Sequence, residues 1–220
     1  MISRPKVSML GCDHADGVKM TEESTLDEIS MLAEHCVADV REAVGFDLDY
    51  TVETLPVLDH FCRTNRSGAL WADGAEHLAR AVGSYFGEVI RRHFDDRCRW
   101  YRSDDGPHAW RLEFTDCFLC FNPLGVALEL LLEGPAPGWN TDFVTAHDAA
   151  EPLESHLSQL PGVSEEDFYT FSVRYEVLET VDDFLRRWQS KSKNPERQYD
   201  SADYEARLAQ LEPDMTTSIE

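Results

Sequence analysis

Apolar residues recur at helical spacing from residue 25 onward. Leu26, Ile29, Leu32, Ala33, Cys36, Val37, Val40 and Val44 form one stripe, and Gly45 follows it. That pattern predicts an amphipathic helix over 25–44 with a glycine stop. Thr25 with Glu28 three residues later has the form of a capping box. A second helix is expected from about Thr51, with Leu55, Leu58, Phe61 and Cys62 on one face and Pro56 near the first turn. A third, over 73–94, carries Leu78, Val82, Tyr85, Phe86, Val89 and Ile90 on one side. Its other side carries Ala75, Ala79, Gly83 and Gly87. Small residues four apart lie along one ridge, where another backbone can approach closely. An interior glycine costs a helix about 1 kcal/mol relative to alanine, so packing, or a ligand against the bare backbone, has to offset it.

The period then changes. Residues 97–102 alternate around Cys98 and Trp100, and 108–114 set Trp110, Leu112 and Phe114 against Arg111 and Glu113. Both read as strands, joined by the turn Ser103-Asp104-Asp105-Gly106-Pro107. Residues 118–121 suit a third strand and 124–132 a short buried helix, followed by a Pro/Gly-rich connector over 135–140. An exposed helix is expected over 148–160, and a short one capped by Ser164 with Asp167. Phe171, Val173 and Tyr175 alternate as a strand over 171–177 would. Val181, Phe184, Leu185 and Trp188 predict an amphipathic helix over 180–188, and Tyr204, Leu208 and Leu211 a weak one over 201–211.

This order predicts an α+β fold: a helix-rich single domain with a small antiparallel sheet packed on a long central helix. Residues 1–24 read as a loose N-terminal arm and 25–188 as the globular domain. Residues 189–220 read as linker, weak helix and mobile tail.

Charge changes the picture more than composition does. The 220 residues carry 42 acids against 20 bases, a formal charge of −22. Residues 116–185 hold 14 acids and one base, Arg174, a net of −13. A field of this sign repels nucleic acid and anionic lipid and attracts basic proteins. An acidic-proteome host would also produce it. Two basic islands interrupt the field: Arg91, Arg92, Arg97, Arg99 and Arg102, then Arg186, Arg187, Lys191, Lys193 and Arg197. They would form one anion-binding patch if they met in the fold. The longest apolar run, 126–132, contains Glu129 and falls far short of the roughly 20 residues of a membrane span. Without an apolar stretch in the first ten residues, no secretory signal is read and a cytoplasmic location is expected.

Six cysteines at irregular spacing make no disulfide framework. Cys117 and Cys120 form a C-x-x-C, but in an apolar strand-like run, with neither the helix start that activates a redox thiol nor a second pair for zinc. Buried thiols are the better reading. Cys12, Asp13, His14 and Asp16 cluster on the arm, yet adjacent residues rarely share one tetrahedral site, so no metal and no cofactor is assigned. No phosphate-binding, dinucleotide or hydrolase motif occurs. Glu88 follows the Gly83/Gly87 ridge, with Arg91 and Arg92 at ion-pair spacing. If the ridge opens a cleft, Glu88 is the one acid placed to act as a general base or acid there. Trp139 stands in the Gly/Pro connector as a candidate partner contact.

The stretch Gly83-Ser84-Tyr85-Phe86-Gly87-Glu88-Val89-Ile90-Arg91-Arg92, followed by Trp100, resembles a pattern in uncharacterised bacterial proteins. In those proteins a G-x-Y-x-G-E-V-I-R-R helix precedes a Trp-containing strand. Residues 49–55 and Leu58-Asp59 resemble the segment before it, and the likeness covers about 45–130. It implies a compact α+β bacterial domain and brings no catalytic residues. Asp95-Asp96 stands where a Gly-rich turn belongs.

Two functional readings follow. The first is an acidic interaction module, of the immunity or inhibitor type, that binds a basic protein through residues of 116–185, among them Glu165, Glu166, Asp167 and Trp139. It would not bind nucleic acid directly or enter a membrane. The second is a small enzyme or ligand binder with a cleft along Gly83 and Gly87, using Glu88 with Arg91 or Arg92. Neither reading fixes an oligomeric state.

Overall fold

The computed structural model describes residues 22–65, 74–162 and 164–211. The first helix, α1 (Glu22–Val44), starts ahead of Thr25. Thr25 is therefore inside the helix rather than at its cap position. Glu28 instead pairs with Arg80 at 3.1 Å and with Arg102. A turn of 3-10 helix leads into α2 (Leu55–Asn65), and α3 spans Ala75–Phe94. The expected arm lies outside the described residues except for its last three.

Every residue from Ala81 to Ile90 on α3 is buried. One side meets α1 and another meets α4 (Pro123–Leu132). The sheet packs on the C-terminal part, where Phe94 stands edge-on to Phe114 at 5.0 Å. This is the α+β architecture that the patterning predicts, with α3 as the central helix. The chain leaves α3 through Asp95 at φ 52°. That is the left-handed region that glycine adopts most cheaply, so an aspartate makes the turn where a glycine was expected.

The sheet is an antiparallel meander in the order β1 (Cys98–Tyr101), β2 (Arg111–Phe114), β3 (Leu119–Phe121), β4 (Val144–Thr145). Cys98 faces Phe114, Leu112 faces Phe121, and Leu119 faces Thr145. One face delivers Leu112, Phe114, Leu119 and Phe121 to the main core. Asn122 starts α4: its Oδ1 accepts from the N–H groups of Leu124 (2.9 Å) and Gly125 (3.3 Å), the usual service of an N-cap.

The second half is more helical than its pattern suggests. α5 (His147–Leu157), the one-turn α6 (Glu165–Phe168) and α7 (Phe171–Gln189) follow β4. Residues 171–177 are not a strand; they are the first two turns of α7. The alternation of Phe171, Val173 and Tyr175 is also compatible with a helix, because Phe171, Tyr175, Leu178, Asp182 and Leu185 recur at 3.6-residue spacing and are buried, as are Val181 and Gln189. Thr170 caps this helix, its hydroxyl accepting from the Val173 N–H at 3.3 Å.

The last helix, α8 (Ser201–Leu211), lies against the other face of the sheet. Tyr204 is fully buried, and its hydroxyl sits 2.6 Å from the Phe114 carbonyl and accepts from the Leu119 N–H at 3.1 Å. Arg111 and Glu113, the polar side of the expected half-buried strand, are consequently buried. Ser201 donates to Glu113 at 2.7 Å, and Arg111 reaches Glu205 at 2.6 Å. The helix expected as part of a linker and tail is thus docked on the domain by a polar network.

Candidate functional site

The small-residue ridge of α3 is closed. A β-carbon on Gly83 would lie 2.6 Å from the Leu124 Cα and 2.8 Å from the Pro123 carbonyl, both on α4. On Gly87 it would lie 2.1 Å from the Trp100 ring. The ridge accepts a helix and an indole, so the cleft of the second reading is filled by the protein itself.

Glu88 is buried and completely engaged. Arg91 donates to it through Nε at 2.8 Å and Nη2 at 2.9 Å, a bidentate pair, and Trp100 Nε1 donates at 3.0 Å. The Glu88 bond raises the Arg91 guanidinium further above its already high value. Arg92 completes the set at 3.6 Å while its guanidinium lies over the Tyr50 ring at 3.6 Å. The geometry gives Glu88 a structural role: it holds β1 to α3 through Trp100.

Trp139 is half-buried and packs on the cluster of Ile29, Trp110 and Leu124. A β-carbon on Gly125 would lie 2.5 Å from its carbonyl oxygen. The candidate partner contact is therefore a packing residue pressed against α4. The side chains of Glu165 and Glu166 lie outside the described residues. Asp167 is exposed, and one of its oxygens accepts from Ser164 Oγ at 2.7 Å while Ser164 caps α6.

The cysteine readings divide in the same way. Cys12, Asp13, His14 and Asp16 lie outside the described residues. Cys117 and Cys120 are buried, and burial pushes both thiols up, Cys120 to about 12. Cys117 Sγ lies 3.7 Å from Asp182, and these two with Asp116 bring three ligand-type atoms within 4.8 Å of one another. Arg97 already fills the cationic place, at 3.0 Å from Asp116 and 3.3 Å from Asp182, and Arg186 adds a contact to Asp116 at 3.4 Å. Burial raises the Asp182 carboxyl against the pull of Arg97. The cluster is a neutralised ion network that joins α7 to the sheet.

Asp116 is also where the two basic islands touch, through Arg97 and Arg186. The rest of the first island is consumed by Glu88, Glu113 and Glu28. The islands do not merge into one patch.

Two features remain open to solvent. α5 and α7 pack on each other. α5 turns Asp148, Glu151 and Glu154 outward, and α7 turns Glu176, Glu179 and Asp183 outward. Spacings of three and four residues put each trio along one helix face. The second feature is a groove of about 1100 Å³ between α5, the end of α7, the segment 190–200 and α8. Sequence reasoning missed it because its walls come from residues 118 to 210. Only the density of bases near 191–197 pointed there. Among the described residues no helix is long and apolar enough to cross a membrane.

Compared with known proteins, the chain matches no family model, no curated protein and no solved structure.

Proposed function

We propose that this chain is an acidic interaction module of a bacterial cytoplasm, of the immunity or inhibitor type, which docks a basic protein. The observation that carries the reading is the pair of outward carboxylate rows on α5 and α7. Asp148, Glu151, Glu154 and Glu176 are exposed with no ion-pair partner among the described residues, while Glu179 lies 3.4 Å from His93 and Asp183 pairs with Arg187 at 2.7 Å. Exposed carboxylates without cationic partners keep their field for an incoming surface. A long-range field of this kind chiefly speeds encounter and enforces partner choice. Asp167, with Glu165 and Glu166 beside it in sequence, would extend the face toward α6.

The test is affinity capture from nuclease-treated host lysate, eluted with increasing salt. A single basic protein leaving at moderate salt is expected, because exposed charges separated by more than a Debye length of about 8 Å are screened at physiological ionic strength. Reversal of Glu151, Glu154 and Glu176 to lysine should weaken that complex at least tenfold. Equal retention of the wild type and the triple variant would remove these helices from the interface.

A further inference from the structure

We infer that the groove between α5, α7 and α8 is a binding site for a small organic anion with a flat aromatic body, the class of nucleoside monophosphates. The groove shares Asp148 with the docking face, but its argument rests on other residues.

The first argument is charge. The chain has only four lysines, and two of them, Lys191 and Lys193, line this groove together with Arg197 and Arg207. Neither lysine has an ion-pair partner among the described residues. Three acids also line it: Asp148, Asp200 and Asp203. Two of them are committed locally. Asp200 accepts from the N–H groups of Ala202 (3.0 Å) and Asp203 (3.1 Å) at the start of α8. Asp203 pairs with Arg197 at 2.7 Å and accepts from the Asp200 N–H at 3.1 Å. Over all seven charged groups the groove still carries one base more than its acids. In a protein of charge −22 this is a local surplus of positive charge inside a concavity.

The second argument is an orphan donor. Arg207 Nε is buried without a hydrogen-bond partner. Leaving a donor buried and unsatisfied is unfavourable, and because Arg207 lines the groove, a turn of its side chain would bring that N–H to an anionic oxygen there.

The third argument is the apolar wall. Phe118, Leu185 and Tyr199 are buried, and half-buried Trp188 joins them. Trp188 ends a ring stack: it lies parallel to Phe184 at 6.1 Å, and Phe184 lies parallel to His156 at 5.0 Å. A flat ring extends such a stack, and nucleobases stack readily on aromatic side chains. An apolar concavity with a few convergent charges is the usual form of a small-molecule site.

The experiment is calorimetric titration of the full chain with AMP, adenosine and inorganic phosphate. One-to-one AMP binding with Kd below about 1 mM is expected, with adenosine and phosphate each at least tenfold weaker. The variant Lys191→Glu/Lys193→Glu should lose at least tenfold in AMP affinity. Arg187→Glu, on the outer face of α7, should leave that affinity unchanged. A thermal midpoint for each variant separates lost binding from lost folding, and Lys193→Glu alone replaces any double variant that fails to fold. No saturable AMP binding overturns the proposal. So does phosphate binding as tightly as AMP, or a folded lysine variant that binds AMP like the wild type.

Discussion

The Asp59 carboxylate on α2 accepts the backbone N–H of Phe171 at 2.6 Å, from a position 112 residues away in the chain. Its second oxygen takes the Ser172 N–H at 3.2 Å and the Ser172 hydroxyl at 2.6 Å. A helix begins with four N–H groups that have no partner inside it. Here an acid from a distant helix satisfies two of them and places a negative charge at the positive end of α7.

Replacement of Asp59 by alanine should therefore destabilise the protein by about 1–3 kcal/mol, the range for stranding buried donors. Asparagine keeps one acceptor oxygen and should lose less. Chemical denaturation of the three proteins checks the order, and an alanine variant as stable as the wild type would remove the role assigned to Asp59.

The two ridge glycines should respond differently from ordinary helix glycines. At an open helix position Gly→Ala gains about 1 kcal/mol. Gly83→Ala meets α4 backbone at 2.6 and 2.8 Å, which cannot rotate away. A net loss of about 1–3 kcal/mol is expected. Gly87→Ala displaces Trp100 and with it the 3.0 Å bond to Glu88, so tryptophan fluorescence should shift as well. A stabilised Gly83→Ala protein would mean that α4 does not lie on the ridge.

Thiol reactivity should be sharply divided. Cys36, Cys62, Cys98, Cys117 and Cys120 are buried. Burial raises the Cys36, Cys98, Cys117 and Cys120 thiols, which suppresses the thiolate that reacts. In native protein, maleimide should modify none of these five, whereas all react in denaturant. Fast native labelling at Cys117 or Cys120, located by peptide mapping, would contradict the buried reading of the C-x-x-C.

Two buried carboxyls should make stability fall as pH rises above 3.8. Burial raises the carboxyls of Asp59 and Asp182 above their ordinary value of 3.8. The unfolded chain then ionises first, so stability from these groups is present below pH 3.8 and is lost as pH rises toward their folded values. Asp49, held down by hydrogen bonds from Thr51, acts in the opposite sense but is fully exposed. The urea midpoint is expected to fall as pH rises from 3.8 through the folded values of these two carboxyls, with a smaller fall in Asp182→Asn. Equal midpoints would count against it.

Much of the fold is legible in the chain because long amphipathic stripes have one period. α1 and α3 follow theirs, and the alternation of Trp110, Leu112 and Phe114 marks the central strand. Short or two-period segments are ambiguous. Phe171, Val173 and Tyr175 satisfy a strand as well as a helix, and only Thr170 and the remote Asp59 decide. β4 is two residues long, too short for any period. Glu88 was identifiable as an ion-paired acid from its spacing to Arg91 and Arg92. That Trp100 would fill the space beside it was not, since contact across a sheet leaves no local pattern. The groove is harder still, because residues from Phe118 to Gln210 converge on it.

The cover over β2 has a consequence for synthesis on the ribosome. Ser201, which binds Glu113, is made 88 residues after it. Throughout that interval the outer side of the sheet has no helix on it. It presents Arg111 and Glu113, which water solvates well, beside Phe118 and Cys120, which wait for Tyr199 and Tyr204 to bury them. Until α8 is made, that small apolar strip is the part of the sheet open to other nascent chains.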